Sequence, residues 1–496
     1  MAGGHHTSNG EVDPSGAEVS DSSDSNGYSN VHVDGNIADE KGYEDDQGQP
    51  TPVGFWNSGL RKTRNGVFRS WGIMTLILCC FIFAVLSLYW GALYHVEANL
   101  PSLGVFVVDF DGQVAPYNTG ETPIVGPQIT QAVEMQLSSP EPHLGYITMP
   151  PSDFDNDPMQ VRQAVYDYKA WAAIIINPNA TAMLMQAIQT GNTTYQPMGA
   201  AQMIYVEARD ETSNDDYIIP QLLQLQSQIT TMFGEMWTGM VLEQAANNQT
   251  LMANLQAVPQ ALSPGIGFSI YNLRPFYPPV ATPAVSIGLI YLIIISFFSF
   301  SFYMPIHTRF LDSKKHPPLK FWQLIVWRWV ANMFAYLFLS LFYSLISLAF
   351  MIPFSHSRQP ETEVAPNTNA YGKASFVVYW MLNWVGMIAL GLACENVAMV
   401  IGFPWTAMWL IFWVITNVST SFYEITLAPR FYFWGYAWPL RNIVEGSRTI
   451  IFDVHSRIGL NFGILFAWCA VNTTLFPLCS MFMRWKTMRE QKGKSD

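Results

Sequence analysis

From Trp71 to Tyr94 the sequence runs 24 residues without a charged side chain, and five more stretches of that kind follow Pro283. A run of about 20 apolar residues crosses the roughly 30 Å hydrocarbon core as a helix, because lipid offers the backbone no water and a helix bonds it internally. The chain is therefore read as a polytopic α-helical membrane protein with six transmembrane helices, over residues 71–94, 284–304, 323–352, 374–394, 405–425 and 458–483. The first stands far ahead of the other five, which leaves room for a large domain, residues 95–280, between helices one and two.

Charge is divided by region. Residues 1–60 carry eleven Asp/Glu against Lys41 alone, and residues 95–280 carry seventeen against four Lys/Arg. Neither part offers the basic surface that a nucleic-acid partner requires. Basic residues flanking spans mark the cytoplasmic side. Arg61, Lys62, Arg64 and Arg69 precede the first span, Arg309, Lys314, Lys315 and Lys320 follow the second, and a basic tail, 484–496, follows the last. With six crossings all three clusters share one side. The N and C termini are then cytoplasmic and residues 95–280 extracytoplasmic. Asn179, Asn192 and Asn248 head glycosylation sequons in that region, which suits passage through the endoplasmic reticulum. Those at Asn417 and Asn472 fall within spans and are expected to stay unused.

The first 60 residues form an acidic tail, rich in Ser, Gly, Asn and Asp, that buries too little apolar surface to order itself. A signal peptide is not expected at such a polar start, so the first span serves as an uncleaved anchor. The five cysteines lie in or beside spans and form neither a disulfide framework nor a zinc spacing.

Residues 95–280 read as α/β. Strand-like runs begin at Ser102, His143, Ala170 and Gln202, with helical spacing at 126–136, 157–169 and 215–247. Residues 258–283 read as a stiff proline-rich connector back to the bilayer. After the fifth span, residues 427–457 read as an amphipathic outer hairpin, its aromatic start suited to an interface belt. Arg441, Glu445 and Arg448 fall four and three apart there, so they share a helix face and can pair. Glu424 is expected to pair with the nearby Arg430.

One large domain after the first span, five clustered spans and an amphipathic hairpin before the last resemble the type-two ABC permease superfamily. Within it, GVFVVDFDG, ITMPPSDF, VRQAVYDYKAWAAIIINPNATA and WGYAWPLRNIVEGSRTIIFD resemble the fungal nitrosoguanidine-resistance membrane proteins, over roughly residues 60–485. The resemblance implies a plasma-membrane protein of toxicant resistance, working as a homodimer, and supplies no catalytic residues.

No phosphate-binding GxxxxGK[ST] loop, hydrolase elbow or zincin motif occurs, so the chain is not expected to be an enzyme and no cofactor or metal is assigned. A permease of this kind needs a separate ATPase subunit, or the fold serves a role without ATP. Charged residues inside spans are functional candidates by default. Arg328 lies in the third span with Asn332 one turn on, and Glu395 closes the fourth at the same membrane face. Arg328 and Glu395 are proposed to pair and shape an inner gate; the alternative is an interfacial Arg reaching lipid phosphates and a Glu in a wet loop. Asp109 and Asp111 end a strand beside Gly112, where a turn is the expected use and calcium binding or acid-base chemistry the alternative. The function expected is export of, or resistance to, small toxic hydrophobic compounds. The alternative is a non-transporting regulator or scaffold in lipid or stress response.

Overall fold

The computed structural model describes residues 52–119, 122–311, 316–354, 364 and 371–495. Most of the acidic tail, residues 1–51, and the basic pair Lys314 and Lys315 lie outside the described residues. The described residues up to Ile73 form one compact unit and those from Met74 onward another. In the first, Asn57 caps the short turn Ser58–Leu60, and Arg64 Nη1 donates to Phe55 O at 2.7 Å. Helix α1 (Arg61–Trp90) runs through the boundary and buries only Val85, as an apolar helix bathed in lipid would.

The α/β domain holds a five-stranded sheet of β1 (Gly104–Asp109), β2 (Gly145–Met149), β3 (Ala172–Ile176), β4 (Ala201–Tyr205) and β5 (Phe268–Asn272), in the order β2-β1-β3-β4-β5. The β3–β4 pair is antiparallel and the other three pairs are parallel. Helices α2 (Val125–Ser138), α3 (Pro158–Tyr166), α4 (Ala180–Thr190), α5 (Ile219–Ala245) and α6 (Gln249–Ala257) complete it. Pro158 fills the first position of α3, and Asp157 Oδ1 caps it by accepting from Met159 N at 2.9 Å. Every residue of β3 is buried because both sheet faces are covered. Val105, Val107, Ile174 and Ile176 pack under α2, α4 and α5. Val108, Ala173, Ile175 and Ile204 join Val161 and Val165 of α3 in a core that continues into the membrane helices.

Strand β5 corrects the reading of residues 258–283 as a plain connector. Five residues between prolines, only Phe268 of them fully buried, carry no alternation to betray a strand, and pairing with β4 defines it.

Among the described residues five helical segments are long and apolar enough to cross a membrane: Ser58–Leu93, Pro279–Leu311, Phe321–Ala349, Gly372–Ile401 and Ile458–Glu490. The principal helices after the α/β domain are α7 (Ile290–Thr308), α8 (Phe321–Ala349), α9 (Ser375–Ile401), α10 (Trp405–Val418), α11 (Pro439–Phe452) and α12 (Ile458–Ser495). The span read over 405–425 is a 14-residue helix, α10, about 21 Å long. It stops where Ser419, Thr420 and Ser421 bond back to the carbonyls of Thr416 and Asn417, competing with the helical ladder. Helix α12 continues without a break through Arg484 to Ser495, so the basic segment is the end of that helix.

Helix α9 is the centre of the bundle. It packs against α7, α8, α10, α11 and α12, and is apolar on all sides, as an enclosed helix must be. Small residues permit this. A Cβ on Gly386 would meet Ile443 Cδ1 at 2.5 Å, and one on Gly391 would meet Ser296 and Tyr336 at 2.7 Å.

Asp111 ties β1 to two helices: its carboxylate accepts from Thr181 N at 2.8 Å, Thr181 Oγ1 at 2.5 Å and Gly126 N at 3.0 Å. The DFDG run therefore serves structure. Asp109 accepts from Asp111 N at 2.9 Å, yet burial, helped by the Asp111 charge, raises its pKa from 3.8 to about 6. A raised carboxyl pKa means that ionisation opposes folding. The penalty is absent below the unfolded value, grows between pH 3.8 and about 6, and is complete above. Asp109→Asn keeps the acceptor and is expected to stabilise the detergent-solubilised protein by ~3 kcal/mol at neutral pH and by almost nothing below pH ~4. Thermal denaturation across that range checks it, and a gain that did not vary with pH would refute the assignment.

Candidate functional site

Buried polar side chains gather at two places on the bundle. At one end, Arg328 of α8 lies 3% exposed and Glu395 of α9 2% exposed, with Nη2 to Oε1 at 2.5 Å. Asn332 Nδ2 holds the other carboxylate oxygen at 2.5 Å, and the Phe476 ring of α12 covers the guanidinium at 5.3 Å. The two charges meet inside protein, so neither the lipid-reaching Arg nor the wet-loop Glu describes them. The pair belongs to a longer feature that the sequence reading did not reach. Arg328, Asn332, Tyr336, Ser340, Ser344 and Ser347 recur every three or four residues and are all buried. They form one polar stripe along α8, about 28 Å at ~1.5 Å per residue. Ser344 receives a bond from Asn383 Nδ2 at 3.0 Å, and Ser347 meets Tyr379 Oη at 3.3 Å, so the stripe faces α9. The missed signal was serine at a four-residue interval inside an otherwise apolar run.

The second place is α11. Its alternation of charge and aliphatic residues suggested an interfacial helix with one wet face, but every residue except Glu445 is buried. The apolar face packs on α9, where Leu382 abuts Gly446. The polar face meets protein charges. Arg441 Nε lies 3.0 Å from Glu445 and its Nη2 3.3 Å from Glu424. Burial works against the Arg441 charge, but Glu445 and Glu424 outweigh it and hold its pKa above the ordinary value. Glu424 thus pairs with Arg441, not with Arg430. Arg448 does not join the expected trio on its own helix. It reaches Asp210 of the α/β domain at 2.7 Å. At the C-terminus of α11, Arg274 Nε donates to Asp453 O at 3.0 Å and Nη2 meets its carboxylate at 3.2 Å, placing a cation at the negative helix end.

Between α11 and the α/β domain lies a cavity of about 240 Å³. On its wall Arg209 is sandwiched, 3.4 Å from the Trp171 ring centre and 4.3 Å from that of Tyr168, with Nη1 donating to Ala170 O at 2.9 Å. Burial lowers its pKa to about 10, so it stays charged at neutral pH. Charged side chains and aromatic faces line this chamber, so it can hold a charged group. Among the described residues no cluster of three or more His, Cys, Asp or Glu could hold a metal.

The sequons sit on the α/β domain. Asn248 is exposed and caps α6 through Leu251 N at 3.1 Å, Asn192 folds its carbonyl onto Thr194, and Asn179 precedes α4 beside the buried Thr181. Asn417 and Asn472 are buried and bonded to Leu440 N and Ala389 O.

The sequence profile of the DUF3533 family, described as a protein of unknown function, matches residues 74–474. The chain is also 27% identical over 445 residues to the uncharacterized endoplasmic reticulum membrane protein YJR015W of Saccharomyces cerevisiae, covering 87% of this chain and 84% of that protein. No solved structure matches it.

Removing one partner of a buried pair strands the other, at a cost of about 3–5 kcal/mol. Arg328→Glu alone and Glu395→Arg alone are therefore each expected to abolish the monodisperse peak of the tagged protein in size-exclusion chromatography, while the double exchange restores much of it. Failure of the exchange to recover anything would show that the two charges do not depend on each other.

Proposed function

This chain belongs to the DUF3533 family, and from that premise we propose that it is a permease-like export component for small hydrophobic or amphipathic toxic compounds. The observation that carries the reading is the buried polar stripe of α8 against α9. A polar row that long is too costly to face lipid, so it must face protein or a path. Hydroxyl and amide contacts between membrane helices are worth only about 0.6 kcal/mol each, so such a seam can part and close cheaply. Arg328 and Glu395 are its one charged closure, and we assign them the role of a gate.

Six crossings fit this reading. Helix α10 starts a few residues beyond the end of α9 at Ile401, and the chain after it reaches Glu424, whose N–H donates to Ser213 of the α/β domain at 2.9 Å. The short helix plus the buried Ser419–Tyr423 segment would complete the fifth crossing, leaving both termini in the cytoplasm and the α/β domain, with its sequons, outside it. Energy would come from a separate ATPase docked on the basic side, and the working unit would be a homodimer. The destination is the plasma membrane by way of the endoplasmic reticulum; the name of the yeast relative suggests residence in the latter.

A specific observation favours the second reading, a non-transporting regulator or scaffold: three ion pairs tie α11 to the segments around it, where a moving part would need freedom. Cells lacking the chain are expected to become sensitive to nitrosoguanidine. The intact chain should restore resistance, and Ser344→Leu, which blocks the seam without adding charge, should not. Equal resistance with and without the chain would remove the export reading. Peptide N-glycosidase is expected to shift the protein on a gel, and Asn248→Gln to reduce that shift. Retained mobility in the untreated and treated wild type alike would overturn the topology.

A further inference from the structure

We infer that the end of the bundle carrying Arg328 holds a binding site for the phosphate head and acyl tail of an anionic membrane lipid. A cavity of about 550 Å³ lies there between α7, the start of α8 and α12. Met304, Leu324, Ile325 and Met483 give it apolar walls, while Lys320 and Arg484 stand on its lining and, among the described residues, no carboxylate does. Apolar walls with cations are the chemistry of an amphiphile whose head is negative.

Two side chains that line the cavity keep donors unspent. Arg328 gives Nη2 to Glu395, but its Nε, in a residue 3% exposed, bonds nothing among the described residues. His307, 7% exposed, accepts at Nδ1 from Trp327 Nε1 at 3.1 Å. In the neutral ring this places the proton on Nε2, which is buried and likewise unpartnered among the described residues. Buried donors of this kind are costly unless an acceptor meets them. Helix α8 adds a third element. It begins at Phe321 on the same lining, and Lys320 before it makes no side-chain cap, so the positive end of a 29-residue helix is turned toward the site. A phosphate head supplies the acceptor that donors on this lining lack, and the apolar wall takes the chain. Phosphatidylcholine also carries phosphate, but its choline brings a cation toward Lys320 and Arg484. The site therefore selects a head with net negative charge.

This site does not depend on transport, so it stands or falls apart from the export reading. Native mass spectrometry of the full chain in detergent, titrated with dioleoyl phosphatidic acid, dioleoyl phosphatidylcholine or inorganic phosphate, tests it. Phosphatidic acid is expected to bind about tenfold more tightly than phosphatidylcholine, and loss of charge-assisted contacts in Lys320→Ala/Arg484→Ala to weaken it about tenfold. Both substitutions are exposed and leave the Arg328–Glu395 pair intact. Thr487→Trp, which fills the cavity without altering charge, should weaken binding equally. Equal affinity for the two lipids, or undiminished phosphatidic acid binding in both variants, would overturn the proposal. Inorganic phosphate displacing the lipid at matching concentration would overturn the assignment to a lipid and leave a free-anion site.

Discussion

A helix carrying three charged residues has been taken out of water, and the rest of the molecule is arranged to make that tolerable. Helix α11 is enclosed by the bundle on its apolar side and by the α/β domain on its polar side. An unpaired buried charge would cost several kcal/mol, so each must be met. Glu424 and Glu445 meet Arg441, and Asp210 meets Arg448. Arg274 closes the helix end through Asp453. Because Asp210 and Arg274 come from the α/β region, that region cannot be a loosely tethered appendage. The continuous apolar core from Val108 and Ile175 through α9 leads to the same conclusion by a different force.

Helix α9 plays the complementary part. An enclosed helix surrounded by five others needs small residues where neighbours approach, and Gly386 and Gly391 provide them. Its polar residues are few and each answers one on a neighbour. Asn383 meets Ser344, Glu395 meets Arg328 and Asn332, and Asn396 bonds Asn472 O at 2.9 Å. Strong contacts thus lie at one end of the α8–α9 seam and weak ones along its length. That gradient is what the proposed gate and parting seam rest on, and the cationic cavity lies directly beside the Arg328–Glu395 pair.

Much of this was legible in order along the chain. Four strands and the helical spacing at 157–169 and 215–247 follow from local pattern, since each depends on neighbours within a few residues. Strand β5 and the end of α10 did not. A strand on a sheet edge is defined by its partner, and α10 stops where hydroxyls bond back to its carbonyls, a competition that mean hydropathy ignores. At the candidate site, Arg328, Asn332 and Glu395 were legible because charge is rare within spans. The serines below them were not, because serine is mild enough to pass as filler in an apolar run.

What the sequence alone determined is which long apolar segments must leave water, since hydrophobic length is additive along the chain and needs no partner to be read. What only the tertiary structure decided is where the polar remainder goes. The charges of α11 have the same pattern whether they face water or Asp210 and Glu424. Only the fold brings those acids within reach, because electrostatic partners are chosen by distance in space and not by spacing in sequence.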